Sequence, residues 1–274
     1  MPSYAGSMPL GPRPDKLPRR VRQPARTGGS ATLQSNAGVA KWPKPRPRLT
    51  PEQVRIQDDW IRHFHERLPA DHPRVLRFNH RYPLRFARPN TRILEIGAGR
   101  GDHLRFENLE TQEYHAIELR TSMAETLFRD FPRVAATAGD CEKRLPYPDS
   151  HFDRVVAIHV LEHLYDLPAA LAEVRRVLRP DGVLTAVIPC EGGFAYRLGR
   201  RLTTQKAFER RYGMPYDWHV RAEHPNRPDE LFEEIAEKFE IRDRTFYPMR
   251  VPLVNINLVI GIAATPLREA RPTQ

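Results

Sequence analysis

Arg92-Ile93-Leu94-Glu95-Ile96-Gly97-Ala98-Gly99-Arg100-Gly101-Asp102-His103-Leu104 has the pattern of a buried strand, a glycine-rich turn and the start of a helix. Ile93, Leu94 and Ile96 supply the apolar run of a strand covered on both faces. The glycines allow the backbone to turn tightly and to approach a ligand with no Cβ in the way. Outward from this stretch the chain alternates in the manner of βαβ units. Strands are expected at 91–96, 113–118, 133–138, 152–159 and 183–189, with helices near 100–107, 122–131 and 168–178. An earlier helix, 50–68, opens on Thr50-Pro51-Glu52, which gives an N-cap, a proline in the first turn and an early acid. Val54, Trp60, Ile61 and Phe64 are its expected core contacts. A late helix at 229–238 precedes strands at 240–247 and 255–263, expected as a hairpin-like edge pair.

A glycine-rich turn alone also suits a nicotinamide dinucleotide. Here a GxGxxG count from Gly97 ends on Asp102, and the glycines present make GxGxG, with Glu95 two residues before the first. A carboxylate beside the turn repels a pyrophosphate and attracts a ligand carrying ammonium and sulfonium charges. Glu118 closes the second strand about twenty residues further on, where an acid can accept both hydroxyls of a ribose. Asp140, in Ala138-Gly139-Asp140-Cys141, can accept from an adenine amino group while the next N–H meets a ring nitrogen. The same Gly-Asp pair is equally at home in an ordinary turn.

The succession LEIGAGRG (94–101), AIEL (116–119), AGD (138–140), LPYPDSHFDRVVAIHVLEHL (145–164) and LAEVRRVLRPDGVLTAVIP (171–189) resembles the class I S-adenosylmethionine-dependent methyltransferases. The resemblance implies an α/β fold: a Rossmann-like, seven-stranded, mostly parallel sheet with helices on both faces and the last strand antiparallel. It implies S-adenosyl-L-methionine as cofactor, with Glu95, Gly97, Gly99 and Gly101 along its methionine part, Glu118 at the ribose, and Asp140 with Cys141 at the adenine. Ala98 and Leu119 complete the expected cofactor-binding set. Arg179-Pro180-Asp181-Gly182 matches the family's turn before the fifth strand.

Methyl transfer from a sulfonium is an in-line displacement from a donor activated by its own charge, so the protein's main task is alignment. A base is needed only where the acceptor must lose a proton. His159, at the end of the fourth strand, is the candidate catalytic base, and Glu162-His163 follow it. The alternative is that His159 packs beside the cofactor or donates a hydrogen bond.

The +10 net charge is unevenly placed: residues 1–50 carry ten Lys or Arg against Asp15 alone, leaving about neutrality for the rest. Residues 1–48, rich in Pro, Arg, Gly and Ser, cannot bury enough surface to offset their ordering entropy and are expected to be disordered. They are either a solvated extension or a basic arm for nucleic acid. Residues 49–274 form the expected methyltransferase domain. Within it, 190–227 is too long for a plain connection. That stretch holds Phe194, Tyr196, Phe208, Tyr212, Tyr216 and Trp218, and eight basic residues against four acidic. It is expected as a lid over a small-molecule or glycan-like, anionic acceptor; the alternative is a helical insert whose aromatics pack on the sheet.

Two cysteines without CxxC spacing argue against a disulfide framework or a structural zinc site, and no metal is expected. No transmembrane stretch or secretory signal is read, and the expected location is cytoplasmic. The leading activity is methylation of an oxygen on a small, glycan or envelope-precursor acceptor. The alternatives are an RNA or protein methyltransferase using the basic tail, or a binding module without turnover.

Overall fold

The computed structural model describes residues 41–71 and 73–268. Expectations for residues 1–40 lie outside the described residues. Helices α1 (Pro51–Asp71) and α2 (Pro73–Leu84) precede β1 (Arg92–Ile96), β2 (Glu113–Glu118), α3 (Thr121–Asp130), β3 (Ala135–Ala138) and β4 (Phe152–Ile158). Then come α4 (Leu167–Val177), β5 (Leu178–Pro189), α5 (Phe194–Leu202), α6 (Thr204–Tyr212), α7 (Asp217–Glu223), α8 (Pro228–Lys238), β6 (Phe239–Tyr247) and β7 (Val259–Pro266). The strands form one seven-stranded sheet in the order β3-β2-β1-β4-β5-β7-β6. β1 to β5 run parallel, while β7 is antiparallel to both β5 and β6. The two late strands therefore pair with each other as expected, with β7 inserted against β5 and β6 alone at the edge.

Alternation along each strand splits the core into two layers. Leu94, Ile96, Val155 and Ala157 join Leu171 and Val174 of α4 and Leu231 and Ile235 of α8 on one face. Ile93, Tyr114 and Val156 join Leu127 of α3 on the other, where Tyr82 of α2 also packs with Val187 and Val259. A Cβ at Gly261 would lie 2.5 Å from the Tyr82 ring, so glycine is what lets α2 lie flat on β7. Helix starts follow local chemistry. Thr50 Oγ1 accepts the Gln53 N–H at 3.2 Å while Gln53 Oε1 accepts the Thr50 N–H at 2.9 Å, a reciprocal cap. At α4 the Asp166 carboxylate accepts the Ala169 N–H at 3.3 Å.

Four differences from expectation have physical causes. The helix expected at 100–107 is only a 3-10 turn, His103–Arg105, because Gly99 and Gly101 take φ of +57° and +83° and break the helical path. Helix α2 lies where no helix is expected, although Pro73 at its first turn and Val75, Phe78 and Tyr82 at helical spacing mark it. β5 starts at Leu178 and takes in Arg179–Gly182, with a register irregularity against Phe152 and Arg154. The packed body also begins before the expected boundary at 48. Trp42 Nε1 donates to Glu234 at 2.7 Å, Lys44 Nζ to Glu230 at 2.6 Å and Arg46 Nη2 to Glu142 at 2.6 Å. Lys41 Nζ also donates to Glu233 and Glu234, each at 3.1 Å, so among the described residues Lys41, Lys44 and Arg46 all pair with acids of the domain.

The insertion between Cys190 and Arg227 is helical, and its aromatics divide: Phe194 is 69% exposed, whereas others turn inward. Phe208 and Tyr216 are buried with Trp60 of α1, the Trp60–Phe208 pair edge-on at 5.2 Å. The expected core contact Trp60 thus packs on the insertion, whereas Val54 is exposed.

Candidate active site

Every element named by the sequence motifs ends at one edge of the sheet. The carboxyl ends of β1, β2, β3 and β4 lead into Gly97, Leu119, Gly139 and His159. At an open edge of this kind, loops at the strand ends can converge on a ligand. The glycine turn is fixed from below: Gly97 N–H donates to Ile117 O at 2.7 Å, and Ala98 N–H to the same oxygen at 3.3 Å. Gly97 has φ +64°, and a Cβ there would lie 2.5 Å from Val160 Cγ2. The close approach therefore excludes any side chain.

Glu118 ties this turn to the next strand. Its Oε2 accepts the Gly99 N–H at 2.8 Å and its Oε1 accepts the Arg120 N–H at 2.9 Å. The residue is 4% exposed, and each oxygen keeps a second lone pair for a ligand hydroxyl. Leu119 beside it is 62% exposed, an apolar side chain left open at the ligand edge. Asp140 Oδ1 accepts the Glu142 N–H at 2.9 Å and shapes the turn after β3.

Two further residues of the expected cofactor set, Glu95 and Cys141, are also buried. Glu95 is 3% exposed, and Tyr114 Oη donates to its Oε2 at 3.1 Å. Burial pushes its carboxyl up to about 7, opposed by His103 and Tyr114. It sits beside a buried network in which Glu107 bonds both His103 and Arg154. Cys141 belongs to the apolar core, and burial pushes its thiol up to about 12.

His159 stands at the mouth with φ +54°, a left-handed conformation that costs a non-glycine residue roughly 1 kcal/mol. Its Nδ1 lies 3.1 Å from Glu162 Oε1 and its Nε2 lies 2.8 Å from Asn79 Nδ2. Asn79 Nδ2 can donate only to an Nε2 that carries no proton, an arrangement that directs Nδ1–H at Glu162. Burial works to raise the Glu162 carboxyl, but His159, His163 and His224 outweigh it and hold it below its ordinary value. Asn79 comes from α2, whose signals in the sequence are Pro73 at its first turn and the helical periodicity over 75–82.

The end of the insertion clasps the same corner. Asn226 Nδ2 donates to Leu161 O at 2.9 Å and to Leu164 O at 2.6 Å. His224 packs edge-on against His163 at 4.8 Å. Glu191 binds His224 at 2.9 Å and Arg200 at 2.7 Å. Burial raises the Glu191 carboxyl, but these two partners outweigh it and leave it below its ordinary value. A separate polar hollow of about 420 Å³, lined by Arg92, Glu113, Asp153 and Arg179, lies at the opposite end of the strands and shares none of these residues.

Comparison with known proteins agrees with this geometry. Residues 94–186 match the family model described as a methyltransferase domain. The chain is 28% identical over 179 residues to the mitochondrial arginine-hydroxylase NDUFAF5 of Rattus norvegicus, covering 60% of this chain and 52% of that protein. It is 34% identical over 97 residues to malonyl-[acyl-carrier protein] O-methyltransferase of Halorhodospira halophila, covering 34% and 33%. The chain thus spans about half or less of these curated relatives. The crystal structure of Burkholderia thailandensis 1,6-didemethyltoxoflavin-N1-methyltransferase, which holds S-adenosylhomocysteine, aligns with TM-score 0.53 at 19% identity, over 82% of this chain and 93% of that one. Fold, glycine turn and family match thus agree on a methyltransferase domain over residues 94–186.

Proposed function

We propose that the chain transfers the methyl group of S-adenosyl-L-methionine to an oxygen of a small-molecule or glycan-like acceptor. The observation that supports the cofactor half is the Glu118 carboxylate fastened to the Gly99 N–H beside a turn where no Cβ fits at Gly97. When bound, the sulfonium cofactor supplies an activated methyl group. The residues of this chain hold and orient it. Gly97, Ala98, Gly99 and Gly101 give a close backbone surface, Glu118 accepts from the ribose, and Leu119 with Asp140 borders the base. Glu95, buried beneath the turn, acts through Tyr114 on the shape of β1 and β2.

His159 is the group placed to meet an acceptor hydroxyl, and it can take a proton once Asn79 yields its Nε2. Oxygen as the methylated atom is supported by this imidazole and by the likeness to an O-methyltransferase. A cytoplasmic location goes with the two unpaired, buried cysteines. Among the described residues no helix is long and apolar enough to cross a membrane.

Release of S-adenosylhomocysteine across pools of hydroxylated acceptors tests the reading. Turnover that depends on one pool supports it, and binding of the cofactor without product from any pool refutes methyl transfer. Because one relative is named a hydroxylase, hydroxylated product is assayed in the same reactions. An RNA acceptor would instead lose binding steeply with salt and on removal of residues 1–40.

A further inference from the structure

Where the insertion meets the end of β4, Glu162, His163 and His224 each offer one ligand atom, and the three atoms lie within 4.8 Å of one another. The Glu162 side chain is 1% exposed; its Oε1 meets His159, and its Oε2 has no hydrogen-bond partner among the described residues. A carboxylate oxygen shut away from water without a donor is costly, and a cation satisfies it. Each imidazole has a carboxylate beside it. His224 Nδ1 lies 2.9 Å from Glu191 Oε2, and His163 Nδ1 lies 3.3 Å from Glu223 Oε2. At His224 this hydrogen bond fixes the tautomer and leaves the Nε2 lone pair for a metal, the usual arrangement behind ligating histidines; the His163 contact is an ion-pair approach without hydrogen-bond geometry. Glu162 and His224 are therefore each oriented by a hydrogen-bonded partner, and His163 stands beside the Glu223 carboxylate.

We propose that Glu162, His163 and His224 bind one divalent cation of the Zn²⁺, Mn²⁺, Co²⁺ or Fe²⁺ class. Two imidazoles with one carboxylate suit these borderline ions and leave coordination positions open. Ligand atoms around such an ion stand about 3–3.5 Å apart, so the three side chains close by roughly an ångström on binding. His224 comes from the insertion, far along the chain from Glu162-His163, so no short motif announces the set. Glu162 also carries His159, which places the ion beside the proposed acceptor position. An acceptor oxygen on an open coordination position would lose its proton more readily. That last consequence rests on the methyl-transfer reading, whereas cation binding does not.

The test is titration of the chelator-treated full chain with Co²⁺, without S-adenosylmethionine, followed by visible absorption. One equivalent should bind, be displaced by Zn²⁺, and weaken by about tenfold or more in H224A and in E162Q. Circular dichroism melts identify which variants remain folded, and H224N serves if E162Q does not. H151A should bind as the parent does, since it disables only the second cluster of Glu113, His115 and His151 at the opposite end of the strands. Absence of binding, binding that survives both H224A and E162Q, or binding lost in H151A alone would overturn the proposal. A second arm measures S-adenosylhomocysteine release with and without chelator. Turnover unaffected by chelator, with Co²⁺ binding intact, removes the catalytic use and leaves the cation site standing.

Discussion

Glu118→Gln separates a loop strut from a cofactor ligand. In the parent, both carboxylate oxygens accept a backbone N–H, from Gly99 at 2.8 Å and from Arg120 at 2.9 Å. The single amide oxygen of glutamine can keep one of these; its NH2 then faces the other donor. Hydrogen bonds to a charged group contribute about 1.5–3 kcal/mol, so losing one should lower stability by about that much. In a domain of this size the corresponding fall in Tm is on the order of 3–10 °C. A ribose that bonds the carboxylate loses a charge-assisted contact of similar size, so affinity should fall about 10- to 100-fold. Thermal melts followed by circular dichroism read the first effect, and calorimetry with S-adenosylhomocysteine at a temperature where the variant is folded reads the second. A lowered Tm with affinity unchanged would refute the ribose role and leave Glu118 as a strut.

Gly97→Ala should weaken cofactor binding and destabilise the fold. Adding Val160→Ala should relieve the clash at 2.5 Å while leaving roughly 1 kcal/mol of strain from φ +64°; no rescue in denaturant titrations would contradict the packing argument. Arg154→Met leaves the buried Glu107 without its guanidinium, and urea unfolding should show a loss of about 3–5 kcal/mol; a neutral substitution would mean the pair is not coupled. Burial, with His103 and His159 nearby, lowers His80 from 6.5 to about 3, so the folded state refuses a proton that the unfolded chain accepts. Stability should fall as pH drops below 6.5, by roughly 2 kcal/mol at pH 5, and His80→Phe should remove that slope; equal pH dependence of variant and parent would sink the assignment. Removing residues 1–40 should leave Tm within a degree or two, whereas removing 1–48 also strips Trp42, Lys44 and Arg46 and should lower it by several degrees.

The sheet was legible because its signals are local. Apolar runs, glycine turns and their order place β1 to β5 without knowledge of neighbours, and Glu118 falls at its strand end by the same reading. What stayed hidden depends on contacts between distant segments. Glu95 lies in a strand whose sequence gives no sign that Tyr114 closes over its carboxyl. Trp60, Phe208 and Tyr216 look equally suited to a ligand or to one another, and only the fold brings them edge to edge. Pro83 inside α2 and its three arginines obscure the helix, and with it Asn79 at His159. The tail boundary was misplaced because a charged, proline-rich strap has no apolar pattern; its order comes from acids on α8 and after β3.

Calorimetric titration of the full chain with S-adenosyl-L-methionine, set beside NAD⁺ under the same conditions, tests the central claim most directly. The account predicts one equivalent of S-adenosyl-L-methionine bound, competed by S-adenosylhomocysteine, and no NAD⁺ binding at the same concentrations. Binding of NAD⁺ in its place, or no binding of the sulfonium cofactor by a folded chain, would contradict it.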